Sequence, residues 1–471
     1  MRFKIISLLF LFFLIYVSCQ TQDDLEVPES VQINDFVWKG MNLYYLWQND
    51  VPSLADNRFE NQNQLNDFLS QYSNPSTLFN DLRTSPSVDK FSVIFSNYEN
   101  LEGILSGNTL NNGVDFALKF KSGSTTQIFG FVRYIIPNSD ASTKNIQRGD
   151  LFYAVNGTSL TVDNYQSLLA NDNYTMNLAD FYNGNITPNG QSVELTKTNL
   201  SENPVLISTV INQGNKKIGY LVYNGFFPNY ESQLNAAFAD LKAQQITHLV
   251  LDLRYNSGGS IATATRLASM ITGQFTNQIF AKEIWNDKLN AFWNTTNPSQ
   301  SLNRFTSILG NGSPLAILNL SKVYILTTKS TASASELVIN GLKPYINVIQ
   351  IGDVTTGKNV GSITLYDSPN FRRNNRNLKH KYAMQPLVLK ISNRDNFGDY
   401  QQGLAPTFAQ VEDLGNLGVL GNPDEPLLNT AINQIIASGK QSSQQTVLNF
   451  EDFKNSKDMN LLQTEMYTEF K

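Results

Sequence analysis

Segments that read as strands and segments that read as helices alternate through residues 205–437, and this alternation restricts the possible architectures. Strands are predicted at residues 248–253 and 323–327, and helices at residues 229–244 and 334–342. Parallel strands need long crossover connections, so this rhythm favours a mostly parallel or mixed sheet covered by helices. We therefore predict an α/β core over residues 205–437.

The chain has 471 residues, which is too long for one compact core. The pattern of apolar and polar residues changes twice before the α/β region. Apolar residues at three- and four-residue spacings predict a tether and a small helical domain over residues 20–100. Short β-rich runs separated by Gly, Asn and Ser predict a β domain over residues 101–204. Residues 438–471 form a polar C-terminal tail in which the sequence shows no chemistry. The predicted fold class is α/β (α+β multidomain).

The β domain carries a recognisable order of turns. A Gly-Asp turn precedes the predicted strand 151–155, and an Asn-Gly turn reverses the chain after it. This order resembles a PDZ domain, and the resemblance implies a carboxylate-binding loop near residues 112–116. The sequence of that loop is not of the usual Gly-Leu-Gly-Phe type.

The N-terminus has the pattern of a bacterial export signal. A positive start at Arg2 and Lys4 precedes a continuous apolar run over residues 5–17, which is too short to span a bilayer comfortably. Cys19 follows a small residue after this run and is the only cysteine of the chain. This arrangement resembles a lipobox, in which Cys19 is lipidated and becomes the first residue of the mature protein. The alternative is an ordinary signal peptide that is cleaved nearby, with Cys19 discarded.

The lipobox interpretation predicts where the protein is found. We expect export across the inner membrane of a Gram-negative bacterium and attachment to the cell envelope through the N-terminal lipid, because an acylated cysteine can hold a protein on a membrane. The acidic pair Asp23-Asp24 is compatible with retention at the outer membrane, on its periplasmic or surface face.

Composition argues against several functional classes. A net charge of −5, a pI near 5.3 and the lack of a Lys/Arg-rich run argue against nucleic acid as a partner. No cysteine follows Cys19, which excludes disulfides and thiolate catalysis, and two distant histidines supply no zinc cluster. We therefore expect neither a metal nor a cofactor.

Two short segments carry most of the candidate chemistry. In residues 249–261, a buried strand leads through Gly258 and Gly259 into a helix, and free N–H groups at such a turn can bind an oxyanion. In residues 329–342, a helix begins inside a run of small residues around Ser333. A serine in that position is ordinarily an N-cap, but small neighbours and N–H donors are also what a serine nucleophile needs.

A serine nucleophile needs a base, and histidine is scarce in this chain. His248 opens a predicted buried strand and is expected to be structural, whereas His380 lies in a basic stretch and is expected to be solvated. Lysine is the alternative base, provided that burial lowers its pKa from about 10.4 by several units. Lys358 lies in an apolar, glycine-rich setting after a predicted strand and is the candidate.

Three sequence motifs, taken in their order along the chain, resemble the pattern of a known protein family. They are Asp-Leu-Arg-Tyr-Asn-Ser-Gly-Gly at residues 252–259, Thr-Ala-Ser-Ala-Ser-Glu at residues 331–336 and Thr-Gly-Lys at residues 356–358. Their order and spacing resemble the C-terminal processing, or tail-specific, serine peptidases. The resemblance covers residues 35 to 437 and implies a crotonase-like α/β catalytic core with a preceding PDZ-like domain and a helical N-terminal domain.

The resemblance also assigns roles to residues. It implies that Ser333 is the nucleophile and that Lys358, 25 residues later, is the base. It implies an oxyanion hole made of backbone N–H groups from Gly258 or Gly259 and from Ala334. The implied activity is endopeptidase cleavage of protein or peptide substrates through an acyl-enzyme, with C-terminal tails recognised by the PDZ domain.

Departures from the family pattern keep an alternative open. Ser362 stands where many members carry a glutamine that orients the lysine, so Ser362 becomes the candidate for that role. The same fold without turnover is a peptide-binding or scaffold protein, and the missing glutamine favours that alternative. Residues 352–358 also match the phosphate-loop spacing GxxxxGK, but Asn359 stands where Ser or Thr should hold magnesium, which disfavours a nucleotide site.

Overall fold

The computed structural model describes residues 27–182, 184–436, 450–462 and 464–470. Cys19 and the predicted signal peptide lie outside the described residues, so their assignment stays a prediction. Across these described ranges, no helix combines the length and the apolar character that crossing a membrane requires.

The N-terminal region is mainly helical, as the apolar spacing predicts. Its elements are α1 (Gln32–Tyr44), α2 (Gln62–Leu69), α3 (Pro75–Asp81), β1 (Val93–Phe95) and α4 (Tyr98–Leu105). Asn61 and Asn74 begin α2 and α3 as N-caps, because each side-chain oxygen accepts a hydrogen bond from an N–H of the first turn. Phe36, Val37 and Met41 of α1 are buried in the main hydrophobic core.

A β domain follows, as the turn pattern predicts. Its elements are β2 (Asn108–Asn111), β3 (Val114–Phe120), β4 (Ile128–Ile135), β5 (Leu151–Val155), β6 (Thr158–Ser159), α5 (Tyr165–Ala170), β7 (Asn173–Tyr182), β8 (Asn185–Thr196) and β9 (Thr198–Ser201). The main sheet has the order β3-β4-β5-β7-β8, with antiparallel neighbours and β6 paired to β5. Its identification as a PDZ domain stays a prediction.

The α/β region contains two large sheets and the helices that cover them. Its elements are β10 (Val205–Gln213), β11 (Lys216–Tyr223), α6 (Glu231–Ala243), β12 (His248–Asp252), β13 (Gly258–Ser260), α7 (Ile261–Thr272), β14 (Ile279–Trp285), α8 (Asp287–Thr296), β15 (Leu302–Arg304), β16 (Lys322–Thr327), α9 (Ala334–Leu342), β17 (Asn347–Gly352), β18 (Val360–Ser362), β19 (Leu365–Tyr366), β20 (Ala383–Gln385), β21 (Leu387–Asn393), β22 (Phe408–Ala409) and α10 (Pro426–Ile436).

The first of these sheets has the order β10-β11-β12-β16-β17-β22, and every pair from β11 to β22 is parallel. The second contains β18, β21, β14 and β15 as antiparallel neighbours. A small third sheet joins β1 of the N-terminal region to β20 and β19. The predicted mixed α/β multidomain architecture is confirmed, and α9 and β5 have the predicted bounds.

The C-terminal residues add one strand to the β domain and one to the α/β region. We call the described residues 450–462 and 464–470 the tail; it contains β23 (Asp452–Asn455) and β24 (Glu465–Tyr467). β23 pairs with β3 of the β domain, and β24 lies between β13 and β18 of the α/β region. The tail therefore connects the β domain to the second large sheet.

Candidate active site

The segment that follows β12 forms the diglycine loop, which we define as residues 256–259. The Asn256 side chain fixes it: Nδ2 donates to the Tyr223 carbonyl at 2.8 Å, and Oδ1 accepts the Gly258 N–H at 2.9 Å. Gly258 and Gly259 have φ values of 116° and 137°, which side chains rarely tolerate. Because the Gly258 N–H is already bonded to Asn256, Gly259 is the better placed of the two predicted oxyanion donors.

Ser333 lies at the start of α9, where the sequence predicts a nucleophile. It has a φ of 64° although it is not glycine, a strained conformation of the kind that collects at functional sites. The residue is fully buried, and its Oγ has no hydrogen-bond partner among the described residues. The adjacent Ala334 is the first residue of α9, where N–H groups lack an intrahelical acceptor.

One carboxylate ties the candidate nucleophile to the candidate base. Glu336 Oε2 accepts the backbone N–H of Ser333 at 2.7 Å and that of Lys358 at 2.9 Å. Its Oε1 accepts the N–H of Gly357 at 2.6 Å and the Thr355 hydroxyl at 2.5 Å. Burial raises the pKa of Glu336, while these donors oppose that rise. The start of α9 and the lysine segment are therefore held on one side chain.

Lys358 is buried, as a lysine base requires. Burial lowers the pKa of Lys358, while the carboxylates of Glu465, Asp89 and Glu336 act in the opposite direction. Its Nζ donates to the Thr464 carbonyl at 2.5 Å, and it lies 4.5 Å from the ring centre of Phe91. In this structure the lysine therefore bonds to the tail.

Ser362 is linked to Lys358 through Glu465. Its Oγ accepts a hydrogen bond from Gln385 Nε2 at 2.9 Å and lies 3.4 Å from Glu465 Oε2. Glu465 Oε1 is in turn 4.0 Å from Lys358 Nζ. Burial raises the pKa of Glu465 to about 7, while Lys358 and Ser362 counteract that rise. A glutamine from β20, Gln385, is thus linked to the lysine only indirectly, through Ser362 and Glu465.

Neither histidine is near enough to bond to Ser333. His248 Nδ1 lies 2.9 Å from the Thr247 hydroxyl. His380 Nε2 lies 2.8 Å from Asp367 Oδ2, and its side chain is only 11% exposed. The expectation that His380 is solvated is therefore wrong, because the basic stretch folds back and packs its ring against this aspartate.

The sequence interpretation missed three residues around the site. Glu336 ends the motif at residues 331–336, but its hydrogen bonds depend on how the two loops meet. Asn256 lies inside the motif at residues 252–259, but the burial of its amide becomes visible only in the structure. Glu465 gave no signal, because it lies 107 residues beyond Lys358 in a polar segment without periodicity.

Two sequence profiles match the chain in these same regions. The profile of Peptidase family S41 matches residues 217–370, which include the diglycine loop, Ser333 and Lys358. The profile of the Peptidase S41 N-terminal domain matches residues 32–93, which include α1, α2 and α3.

Curated relatives carry related names. The chloroplastic C-terminal processing peptidase of Tetradesmus obliquus is 24% identical over 258 residues, which are 52% of this chain and 51% of that protein. The chloroplastic carboxyl-terminal-processing peptidase 2 of Arabidopsis thaliana is 27% identical over 230 residues, which are 47% of this chain and 40% of that protein. The chain thus spans about half the length, or less, of these relatives.

A solved structure extends the comparison to the whole fold. The crystal structure of a Bacteroides fragilis protein described as a candidate S41 protease has a TM-score of 0.65 and 26% identity, and the match covers 85% of this chain and 96% of that one. The fold and the matched profiles define a chain of mixed α/β architecture that carries the domains of a serine peptidase family. The chain thus carries a Peptidase family S41 domain and a Peptidase S41 N-terminal domain, and it is similar to proteins named C-terminal processing peptidases.

Proposed function

We propose that the protein is a serine endopeptidase that cleaves protein or peptide substrates through an acyl-enzyme, with Ser333 as nucleophile and Lys358 as base. The Glu336 carboxylate is the observation that carries this proposal. It accepts N–H groups of both residues and so fixes their backbones side by side, although they lie 25 positions apart. Positioning of this kind supplies much of the rate enhancement of an enzyme.

In the proposed reaction, neutral Lys358 removes the proton from Ser333 Oγ as that oxygen attacks the scissile carbonyl carbon. The N–H groups of Gly259 and Ala334 stabilise the oxyanion. The Lys358 ammonium then protonates the departing amine and leaves an ester on Ser333. Water gives a proton to Lys358 as it attacks this ester, and the Lys358 ammonium returns that proton to Ser333 Oγ as the acid product leaves. For the first step, Lys358 Nζ exchanges its bond to the Thr464 carbonyl for one to Ser333 Oγ.

We extend the proposal to substrate recognition by the β domain. As a PDZ-like domain, it captures the C-terminal tails of substrates by strand addition beside β3. The pairing of β23 with β3 supports this role, because it demonstrates that an extended peptide fits the edge of that strand.

Membrane attachment through Cys19 is a separate part of the proposal. Replacing Cys19 by serine is expected to move the protein from the membrane fraction to the soluble fraction of the cell envelope, since lipid anchoring depends on the acyl chains. Fractionation and metabolic labelling with a fatty acid measure both effects. An unchanged distribution with no label on the wild type contradicts the lipoprotein assignment.

The peptidase proposal is tested with casein and with peptides that carry a free C-terminal tail. Ser333→Ala and Lys358→Ala are each expected to lower the rate by about 10³-fold or more, because nucleophile and base act as a unit. The exposed residues Ser299 and Lys390 supply matched controls, and Ser299→Ala and Lys390→Ala should leave the rate unchanged. Equal, negligible rates for the wild type and all four variants contradict the proposal.

A second function is favoured by one observation. Lys358 Nζ bonds to the tail, while Ser333 Oγ has no partner among the described residues. A peptide-binding protein without turnover needs only surfaces that bind the peptide, such as the edge of β3 and the space beside the diglycine loop. Such a protein binds labelled peptides with the same affinity in the wild type and in the Ser333→Ala variant, and it cleaves none of them.

A further inference from the structure

The tail follows one continuous path across the β domain. Its strand β23 runs antiparallel to β3, with Asn455 opposite Ala117. Phe453 packs edge-on against Phe120 of β3 and Tyr165 of α5, with ring centres 5.2 and 5.1 Å away. The tail thus fills the groove between β3 and α5, in the manner of a peptide added to a sheet edge.

The tail then turns towards the α/β region instead of ending. Ser456 Oγ donates to Asp115 Oδ2 at 2.8 Å, near the start of β3. The half-buried Lys457 donates from Nζ to the carbonyls of Tyr255 at 2.8 Å and Asn224 at 3.2 Å, which belong to the α/β region. This turn directs the following residues from the groove into the cleft beside Ser333.

In the cleft, β24 takes the position that the proposed reaction reserves for a substrate. β24 pairs in parallel with β13, with Glu465 opposite Gly258, and also contacts β18. A Cβ atom on Gly258 would lie 2.0 Å from the Glu465 carbonyl oxygen and 2.7 Å from Ser333 Cβ. A carbonyl group of the tail and the Ser333 side chain therefore both lie next to Gly258 of the diglycine loop.

Little space is left once the tail is in place. The cavity beside the diglycine loop, which the tail also lines, has a volume of ≈ 100 Å³. Pockets that enclose a drug-sized ligand measure roughly 300–1,000 Å³. With the tail in place, the cavity beside the diglycine loop is thus smaller than a pocket for a peptide segment.

We propose that the groove and the cleft form one continuous peptide-binding site, that the tail is its resident ligand, and that a substrate binds by taking the tail's place. This inference rests on the proposed peptidase function and adds how that site recognises and admits its substrates. Substrate exchange frees Lys358 Nζ from the Thr464 carbonyl, so that displacement of the tail and readiness of the base occur together.

The resident ligand also indicates the substrate chemistry. Glu465 directs its carboxylate towards Lys358, and the next residue, Met466, is fully buried in the main hydrophobic core. The aromatic Tyr467 follows and is nearly buried. The site therefore prefers an extended segment in which an acidic residue precedes two large apolar residues.

The test uses the full chain and two substitutions of the same kind within the tail. Met466→Lys places a charge at a fully buried position, whereas Leu461→Lys places the same charge at a side chain that is 65% exposed. We expect Met466→Lys to raise kcat/KM on a tailed peptide by about tenfold or more, because the unfavourable burial empties the cleft. Leu461→Lys should match the wild type.

Adding the ligand back provides the second readout. A synthetic peptide of residues 460–471 should inhibit the Met466→Lys variant competitively, and a scrambled peptide of equal composition should not. If Met466→Lys does not fold, Phe453→Ala weakens the tail at the groove and should raise kcat/KM several-fold. Phe292→Ala, at an exposed phenylalanine outside the tail, is its control.

Binding separates this inference from the peptidase proposal. In a Ser333→Ala background, the fluorescently labelled peptide should bind at least about tenfold more tightly when Met466→Lys is also present. Tighter binding together with no hydrolysis by any variant supports the tail as the resident ligand and contradicts the peptidase proposal. The inference is overturned if a folded Met466→Lys variant has an unchanged or lower kcat/KM and an unchanged affinity for the peptide. It is also overturned if this variant loses activity and the added peptide restores it.

Discussion

Two segments meet beside the diglycine loop, and they are held there by different forces. The start of α9 is fastened by buried polar groups, chiefly the Glu336 carboxylate and the Asn256 amide. The strand β24 is held by pairing over three residues and by the burial of Met466. Polar groups that are buried and satisfied specify one geometry, whereas strand addition is a general and reversible means of binding peptides. The first segment is a fixed part of the site, and the second can be exchanged.

Substitution of Glu336 is expected to disturb the fixed segment most strongly. Glu336→Ala leaves three backbone N–H groups and the Thr355 hydroxyl without their acceptor. We expect the free energy of unfolding to fall by about 4 kcal/mol and kcat to fall by about 100-fold or more. Calorimetry and hydrolysis assays measure the two effects, with the exposed Glu194→Ala as control. A stable variant with normal kcat contradicts the role assigned to this carboxylate.

Asn256 provides a smaller effect on the same segment. Asn256→Ala removes the acceptor of the Gly258 N–H and the donor to the Tyr223 carbonyl. The expected loss is about 2 kcal/mol of unfolding free energy, with kcat reduced more than KM is raised, because the oxyanion donor next to Gly258 shifts. Thermal unfolding and steady-state kinetics measure this, and Asn63→Ala on the surface of α2 is the control. An effect on KM alone places Asn256 outside the catalytic geometry.

Glu465 gives the smallest effect and reports on the exchangeable segment. Lys358 must be neutral to act, so the rate rises as pH rises through its lowered pKa. The Glu465 carboxylate holds the pKa of Lys358 up, and Glu465→Gln therefore moves this rising limb to lower pH. The shift should appear in kcat/KM, which reports the free enzyme with the tail in place, and not in kcat.

The control for that experiment is Asp458→Asn, a carboxylate in the turn of the tail that caps its own segment and is absent from the groups that shift the pKa of Lys358. It should leave both pH profiles unchanged. An equal shift of kcat and kcat/KM in the Glu465→Gln variant means that the tail stays in the cleft during turnover, which contradicts displacement.

The sequence predicts the fixed segment well and the exchangeable one poorly, and the reason is physical. The bounds of α9 follow from a run of apolar residues after small ones, and Ser333 and Lys358 lie on loops next to parallel strands that local patterns reveal. Strand β24 has three residues, and its partners lie at residues 258–260 and 362, more than 100 positions away. Pairing of that kind depends on backbone groups that every residue carries, so no side-chain pattern announces it.

The β domain lies between these two cases. The turns around β5 could be predicted because Asn156 and Gly157 both adopt positive φ values, which their residue types favour. The occupant of the groove beside β3 could not be predicted, since β23 contributes a single large apolar side chain, Phe453, within a polar stretch.

The tail belongs to the same chain as the site it fills, and this covalent link sets a threshold for every competitor. A ligand on a short tether is present at an effective concentration on the order of millimolar, however dilute the protein. A free peptide displaces the tail only if its concentration, weighted by its affinity for the cleft, exceeds the effective concentration of the tail. A substrate that is held at the same surface also has a high effective concentration and can therefore compete. The tail thereby excludes free peptides that bind weakly and admits substrates that are held close to the cleft. Substrate selection then depends on proximity as well as on sequence.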